Sequence, residues 1–308
     1  SVIILDEAQT IPRPLLRPCV AALDELVRNY GCSVVLCTAT QPALGAPGFK
    51  DGFRLSKENE LAPEPAKLAE HPQLKRVRLL HGGDMNDAAL VDAIAQTAQG
   101  LVIVNSRKHA LALYRAAQAA GLEGLVHLTT RHYAAHRRAI LEKVREGLKD
   151  GSPCRLIATS LIEAGVDVDF PCAWRAEAGL DQIVQTAGRV NREGKRPFDD
   201  STLTIFRAPD NPPPSEIKGL SADMVRMMHK HTNLLSPAAI EDYFGEVYWR
   251  MSPHSLDAKS IFDDFEVGSG LLNDDLGSLV GLDGQAGEAV EAGPVRRDLG
   301  GLRPGAVG

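Results

Sequence analysis

The sequence of 308 residues predicts an α/β protein. The expected parts are a portion of one parallel-sheet domain, a linker, a second and nearly whole parallel-sheet domain, a small helical region and a disordered tail. Three observations predict this. Short apolar runs alternate with stretches of helical apolar spacing from residue 2 to residue 206, the order that puts helices on both faces of a parallel sheet. Gly, Pro and mixed charge interrupt that order between Gln41 and Pro72. Eleven of the 41 residues from Gly268 to Gly308 are Gly, and so little apolar content cannot offset the entropy of ordering a chain.

The elements follow in order. Val2–Leu5 is the first strand, and Arg17–Arg28 is a helix with Val20, Leu23 and Val27 at three- and four-residue spacing. "CSVVLCTAT" (32–40) is a second buried strand ending in small hydroxyl residues. The second unit opens with the strand "KRVRLLH" (75–81) and the helix Asp87–Ala98. The strand "GLVIVNS" (100–106) and the helix Lys108–Ala120 come next, the helix ended by Gly121. Then come "LVHLT" (125–129), a basic helix over His132–Leu148, "RLIATS" (155–160), "DQIVQTAGRVNR" (181–192) opening as a helix, and "STLTIF" (201–206). "NPPPSE" is a rigid break, after which 216–250 is helical with an aromatic patch, "YFGEVYW" (243–249). The expected boundaries are 1–60 for the partial first domain, 61–72 for the linker, 73–210 for the second domain, 211–257 for the helical region and 258–308 for the tail. On this reading Val2–Leu5 is an interior strand without its N-terminal-side neighbours, so residues 1–60 are expected to be poorly stable alone.

Composition narrows the function classes. No stretch approaches the roughly 20 apolar residues that cross a bilayer, and no export leader precedes the first strand. A soluble, cytoplasmic protein with no membrane partner is expected. The five cysteines are scattered without a Cys-x-x-Cys pair, which predicts neither a zinc site nor a disulfide framework. The net charge of -6 excludes a generally basic surface, although a local stripe of Lys and Arg is enough to grip phosphates.

The chemistry begins at "LDEAQT" (5–10). An Asp at the end of a buried strand can hold magnesium, and an adjacent Glu can orient the water that attacks a terminal phosphate. That makes Asp6 the candidate metal residue and Glu7 the candidate base. By itself "DEAQ" also reads as an acidic helix cap. Its company is more telling: "TAT" (38–40), "VNSR" (104–107), "ATSLIEAGVDVDF" (158–170) and "QTAGRVNREG" (185–194) follow in order, each at or just after a strand or at a helix start. Arg189 and Arg192, three apart, are expected on one helix face, within reach of one phosphate.

These stretches resemble the later motifs of superfamily 2 helicases, and so imply RecA-like domains. In detail, "LDEAQTIP", "LCTATQPAL", "SLIEAGVDVDF", "QTAGRVNREG" and the aromatic "YFGEVYWR" look like the CRISPR-associated helicase-nuclease of type I interference systems, over about residues 1 to 256. The resemblance implies an ATP- and Mg2+-dependent translocase on single-stranded DNA, recruited by an effector complex carrying guide RNA. Carried over, it implies that Asp6 and Glu7 bind magnesium and activate water, and that Gln9, Thr38 and Thr40 couple the nucleotide site to the DNA. Gly165 and Asp167 would lie near the ribose, and Gln185, Arg189 and Arg192 would meet the γ-phosphate. Ser106, Arg107, Thr159 and Ser160 would face the DNA backbone.

Two departures limit what these residues are expected to do. No Gly-x-x-x-x-Gly-Lys-Ser/Thr loop occurs, and the one Gly-Lys, Gly194-Lys195, is followed by Arg196. None of the nine histidines is followed by Asp, so the family's nuclease motif does not occur either. The chain reads as the later part of a longer machine and is expected not to hydrolyse ATP by itself. Two other readings stay open: another superfamily 2 DNA or RNA helicase, and a non-catalytic module that binds nucleic acid or a partner.

Overall fold

A strand without charges gains most by lying between two layers, and this is how the apolar runs are used. The computed structural model describes residues 1–261 apart from 39, 41–43, 46–48, 50, 51, 54, 56, 63 and 164. At the start, β1 (Val2–Asp6), α1 (Leu16–Tyr30) and β2 (Ser33–Cys37) form one crossover unit. The two strands pair in parallel, Val2 opposite Ser33 through Asp6 opposite Cys37. α1 ends at Gly31, whose φ of 60° is the left-handed turn that glycine makes most readily. The outer edge of β1 has no strand partner among the described residues, and its Val2 and Ile4 are exposed.

A short helix, α2 (Pro65–Glu70), precedes the larger sheet, which is built from β3 (Arg78–Asp84), α3 (Asp87–Ala95), β4 (Gln99–Ile103), α4 (Arg107–Ala119), β5 (Leu125–Leu128), α5 (Ala134–Asp150), β6 (Cys154–Ala158), β7 (Cys172–Ala176), α6 (Leu180–Ala187) and β8 (Thr202–Arg207). The six strands stand in the order β3-β8-β7-β4-β6-β5, and every neighbouring pair is parallel. Side chains alternate between two cores, as the period of a strand requires. Leu101, Ile103, Leu156 and Ala158 face one core with Leu180 and Ile183 of α6. Val102, Val104 and Ile157 face the other, with Leu90 and Ile94 of α3 and Leu113 of α4. Helix starts are closed locally: Asn86 accepts from the Ala89 amide before α3, and Ser106 from the His109 amide before α4.

The α/β class with a parallel sheet is as the sequence predicts. One strand has no counterpart in the sequence reading, and one expectation is corrected. β7, in the middle of the sheet, carries Arg175 in "CAWRA" and so does not read as an apolar run. The helix that opens 181–192 ends at Ala187, before both arginines expected on its face. Beyond Gly188 the backbone leaves the helix because it bridges to another loop: the Phe170 amide donates to the Arg189 carbonyl and the Asn191 amide to the Phe170 carbonyl, both at 2.9 Å. Asn191 takes a φ of 45° to do so. Arg189 and Arg192 therefore do not share a helix face.

The helical region is two packed helices, α7 (Ser215–Lys230) and α8 (Pro237–Arg250). Tyr243, Phe244 and Tyr248 on α8 form an aromatic row, and Phe49 packs 5.5 Å from Tyr248. The Tyr243 hydroxyl donates to Asp181 at 3.0 Å, and Arg13 reaches the same carboxylate at 3.4 Å. The Ala258 amide donates to the Pro14 carbonyl at 2.9 Å. Ser1–Ser260 form one compact unit. The expected disordered tail lies, from residue 262, outside the described residues. No helix among the described residues is long and apolar enough to cross a membrane.

Because Tyr243 is fully buried and its hydroxyl has Asp181 as partner, Tyr243→Phe is expected to lower unfolding stability by about 1 kcal/mol. Urea denaturation monitored by tryptophan fluorescence checks this, and an unchanged midpoint would show that Arg13 alone satisfies Asp181.

Candidate functional site

Parallel strands deliver all their C-terminal ends to one edge of a sheet, where ligands of α/β proteins commonly bind. At the end of β1, Glu7 sits in the left-handed region with φ 54° and ψ 50°, a conformation that costs a non-glycine residue roughly 1–2 kcal/mol. The turn is held by its own bonds. The Glu7 amide donates to Asp6 Oδ1 at 3.1 Å, and the Thr10 amide and hydroxyl donate to the Glu7 carbonyl at 2.8 and 2.7 Å.

From there a chain of side chains leads to the end of β2. Gln9, which is buried, donates through Nε2 to Glu7 Oε2 and accepts at Oε1 from the Thr38 hydroxyl. The Thr40 amide donates to Thr38 Oγ1 at 3.0 Å. The three residues expected to couple sites are thus one connected path from Glu7. Thr40 Oγ1 is buried and has no hydrogen-bond partner among the described residues.

The arginines differ sharply. Arg189 is buried, with Nε donating to the Ile162 carbonyl at 3.2 Å and Nη2 to the Glu163 carbonyl. Burial holds its guanidinium below the usual range, the charge of Arg192 adding to this, while Glu7, Asp167 and Glu163 oppose it. Arg192 is half-exposed, its Nε bonded to Asp167 Oδ1 at 2.7 Å and its amide to Asp169 Oδ1 at 2.7 Å. Asp167, expected near a ribose, is here the partner of Arg192. Gly165 turns with φ 66° into open space, and Gln185 lies half-buried on α6.

The donor set at β1 fits magnesium, which takes one or two carboxylates and completes its shell with phosphate and water. Asp6 is exposed and Glu7 half-buried beside it. Among the described residues no cluster of three or more His, Cys, Asp or Glu could form a larger protein cage.

On the other side, Ser106 and Arg107 line a cavity of about 590 Å³ with Lys108, Leu111, His127, Thr129, Arg131 and His132. Among the described residues, no acidic side chain lines it. His127 Nε2 is buried without a hydrogen-bond partner in the structure, and burial, then His132, lowers its pKa. Rings continue outward from His127 through His132 to His136 and the exposed Tyr133. Thr159 and Ser160 end the neighbouring strand β6, Thr159 buried and Ser160 exposed, outside that cavity. Sequence reasoning did not single out His127, whereas Arg131 and His132 open the basic stretch "RHYAAHRRAILEKVREGLK", which reads as a looser candidate for the DNA groove and more readily as a solvated charged face. The dense His and Arg of "VHLTTRHYAAHRR" were the available signal.

Comparison with known proteins follows the same lines. Residues 96–195 match the family model described as CRISPR-associated nuclease/helicase Cas3, C-terminal. The CRISPR-associated nuclease/helicase Cas3 of Methanothermobacter thermautotrophicus is 27% identical over 218 residues, 67% of this chain and 26% of that protein. The pre-mRNA-splicing ATP-dependent RNA helicase PRP28 of Cryptococcus neoformans is 30% identical over 127 residues, 39% of this chain and 16% of that protein. The chain thus spans about a quarter or less of the length of these curated relatives. The crystal structure of T. fusca Cas3 with ATP superimposes with a TM-score of 0.57 at 16% identity, over 85% of this chain and 37% of that one. That likeness is one of fold, the RecA-like parallel sheet expected from the sequence.

The strained turn at Glu7 generates a test independent of any ligand. Glu7→Gly should be more stable than Glu7→Ala by about 1 kcal/mol, because only glycine adopts this φ without cost. Chemical denaturation of the two variants measures the difference, and Ala equal to or better than Gly would show the turn to be relaxed.

Proposed function

We propose that this chain, a member of the CRISPR-associated nuclease/helicase family through residues 96–195, supplies the water-activating acid, the arginines and a nucleic-acid grip of an ATP-driven translocase on single-stranded DNA, recruited by an effector complex carrying guide RNA. The observation that carries this reading is the side-chain path from Glu7 through Gln9 to Thr38 at the ends of β1 and β2, which fixes the carboxylate that a water-activating acid would supply.

In this reading Glu7 orients water, its carboxylate fixed by Gln9. Magnesium held by Asp6 together with nucleotide phosphates would neutralise developing charge. Arg189 and Arg192 meet the γ-phosphate, with Gln185 beside them and Gly165 and Asp167 near the ribose. Arg192 exchanges Asp167 for phosphate as the arginine finger. Gln9, Thr38 and Thr40 transmit the state of that site. Ser106, Arg107, Thr159 and Ser160, together with Lys108 and Arg131, position DNA phosphates without reading sequence. The 308 residues contain no phosphate-binding loop, so ATP hydrolysis by this chain in isolation is expected to be absent.

Two experiments test the reading. Arg107→Ala and Arg131→Ala should each weaken single-stranded DNA binding equally across sequences. Each should also flatten the dependence of log affinity on log salt by about 0.7. Fluorescence anisotropy on this chain reads both, and unchanged affinity would remove the cavity from the DNA path. A marked preference for RNA would favour an RNA helicase, the activity named for the PRP28 relative. In a longer form that hydrolyses ATP, Arg192→Ala should cut turnover by about 10³-fold or more with DNA affinity retained. Lost affinity with turnover retained would reverse the roles.

A further inference from the structure

Arg175 is wholly buried near the C-terminal end of β7. Its Nε donates to Glu163 Oε1 at 2.7 Å, and its Nη1 to Asn105 Oδ1 at 2.6 Å and to the Ala176 carbonyl at 2.8 Å. Asn105 ends the strand that leads into Ser106 and Arg107, and is held from its other side, Nδ2 donating to the Glu177 carbonyl at 2.8 Å. Glu163, equally buried, also accepts from Thr186 at 3.3 Å and from Gln182 at 3.4 Å, both on α6. Its backbone carbonyl accepts from Arg189. One guanidinium thus joins the end of β4 to the loop after β6, and through that loop to α6 and Arg189.

Stability does not account for such an arrangement. A buried ion pair can often be replaced by apolar side chains of similar volume without loss, but an apolar side chain cannot bond two loops at once. The planar fork of Arg does so with little further loss of freedom. Arg175 Nη2 is buried and has no hydrogen-bond partner among the described residues, so the fork is not saturated by the bonds it makes.

We infer that Arg175 is a positioning residue that ties the β4 end leading into Ser106 and Arg107 to the Glu163 loop beneath Arg189, so that the DNA-facing and phosphate-facing groups move as one body. The use of this link rests on the proposed function; the link itself does not.

The test uses the 308-residue chain in three forms: wild type, Arg175→Lys, and the double variant Glu163→Leu with Arg175→Met. Hydrogen exchange read by mass spectrometry follows residues 104–110, 159–163 and 186–192, with thermal unfolding alongside. In the double variant the unfolding midpoint should stay within a few degrees, while exchange in all three segments rises together by about tenfold. Arg175→Lys keeps the charge but not the fork, and should behave like the double variant. Wild-type protection in these segments, or loosening of one alone, overturns the link. Should the double variant unfold, Asn105→Ala cuts the β4 arm, together with the Asn105 bond to the Glu177 carbonyl, and leaves the Arg175–Glu163 arm in place. It should loosen 104–110 and, through Arg175, 186–192, and intact protection at 186–192 then overturns the link. In a longer form that hydrolyses ATP, Arg175→Lys should lower kcat for DNA-stimulated hydrolysis with KM for ATP unchanged. Unaltered stimulation with the segments loosened overturns the positioning role. Absence of hydrolysis in the wild-type longer form counts against the proposed function and leaves the exchange result to decide the link.

Discussion

A guanidinium and a carboxylate, Arg175 and Glu163, lie side by side beneath the strand ends without access to water. Burial pushes the Glu163 carboxyl above its usual range, and the Arg175 charge opposes that push. A charge so placed is tolerated only when its lone pairs and protons are met. The groups that meet it come from separate stretches of sequence: Asn105 before Ser106, Thr186 and Gln182 on α6. Satisfying one buried pair thus dictates polar side chains at otherwise apolar strand and helix ends, and brings those ends into one register. The carboxyl edge of the sheet is built around that requirement.

The smaller sheet meets a different constraint. Two strands and a helix bury too little to stand alone, and the neighbouring elements complete them. Arg13 reaches Asp181 at the start of α6, and Tyr243 of α8 donates to the same carboxylate. Phe49 packs on Tyr248, and Ala258 bonds back to Pro14. The aromatic element that the sequence marks near residue 243 is therefore a joint, apolar on its faces and polar at one hydroxyl, suited to hold a small unit against a large one.

How much of this was legible follows from what each residue has to satisfy. Strands that bury only aliphatic side chains, such as "GLVIV", announce themselves by composition, and the alternation with helices was enough for a parallel sheet. β7 was not legible because its function as a strand depends on a charge neutralised by a residue twelve positions earlier, Glu163, and local pattern carries no trace of such a partner. The early end of α6 was hidden for a related reason. "TAGRVNR" has no residue that forbids a helix, and Gly188 is tolerated within one. The backbone leaves because Phe170 offers it a bridge. Of the candidate site, Asp6, Glu7 and the path through Gln9 and Thr38 could be anticipated as motif residues, while the cavity around His127 joins side chains from α4, β5 and the turn before α5 that are distant in sequence.

The structure also separates two arginines that the sequence presents as a pair. Arg189 is desolvated and spans two backbone carbonyls, so moving it would strand both acceptors in a dry interior, at about 1–3 kcal/mol each. Arg192 is half-exposed, and its partner Asp167 more so. An exposed ion pair is worth only about 0–1 kcal/mol, so a phosphate with greater charge and more acceptor oxygens can displace Asp167 at small cost. One arginine is therefore built into the interior, and the other is held at the surface by a pair that costs little to break.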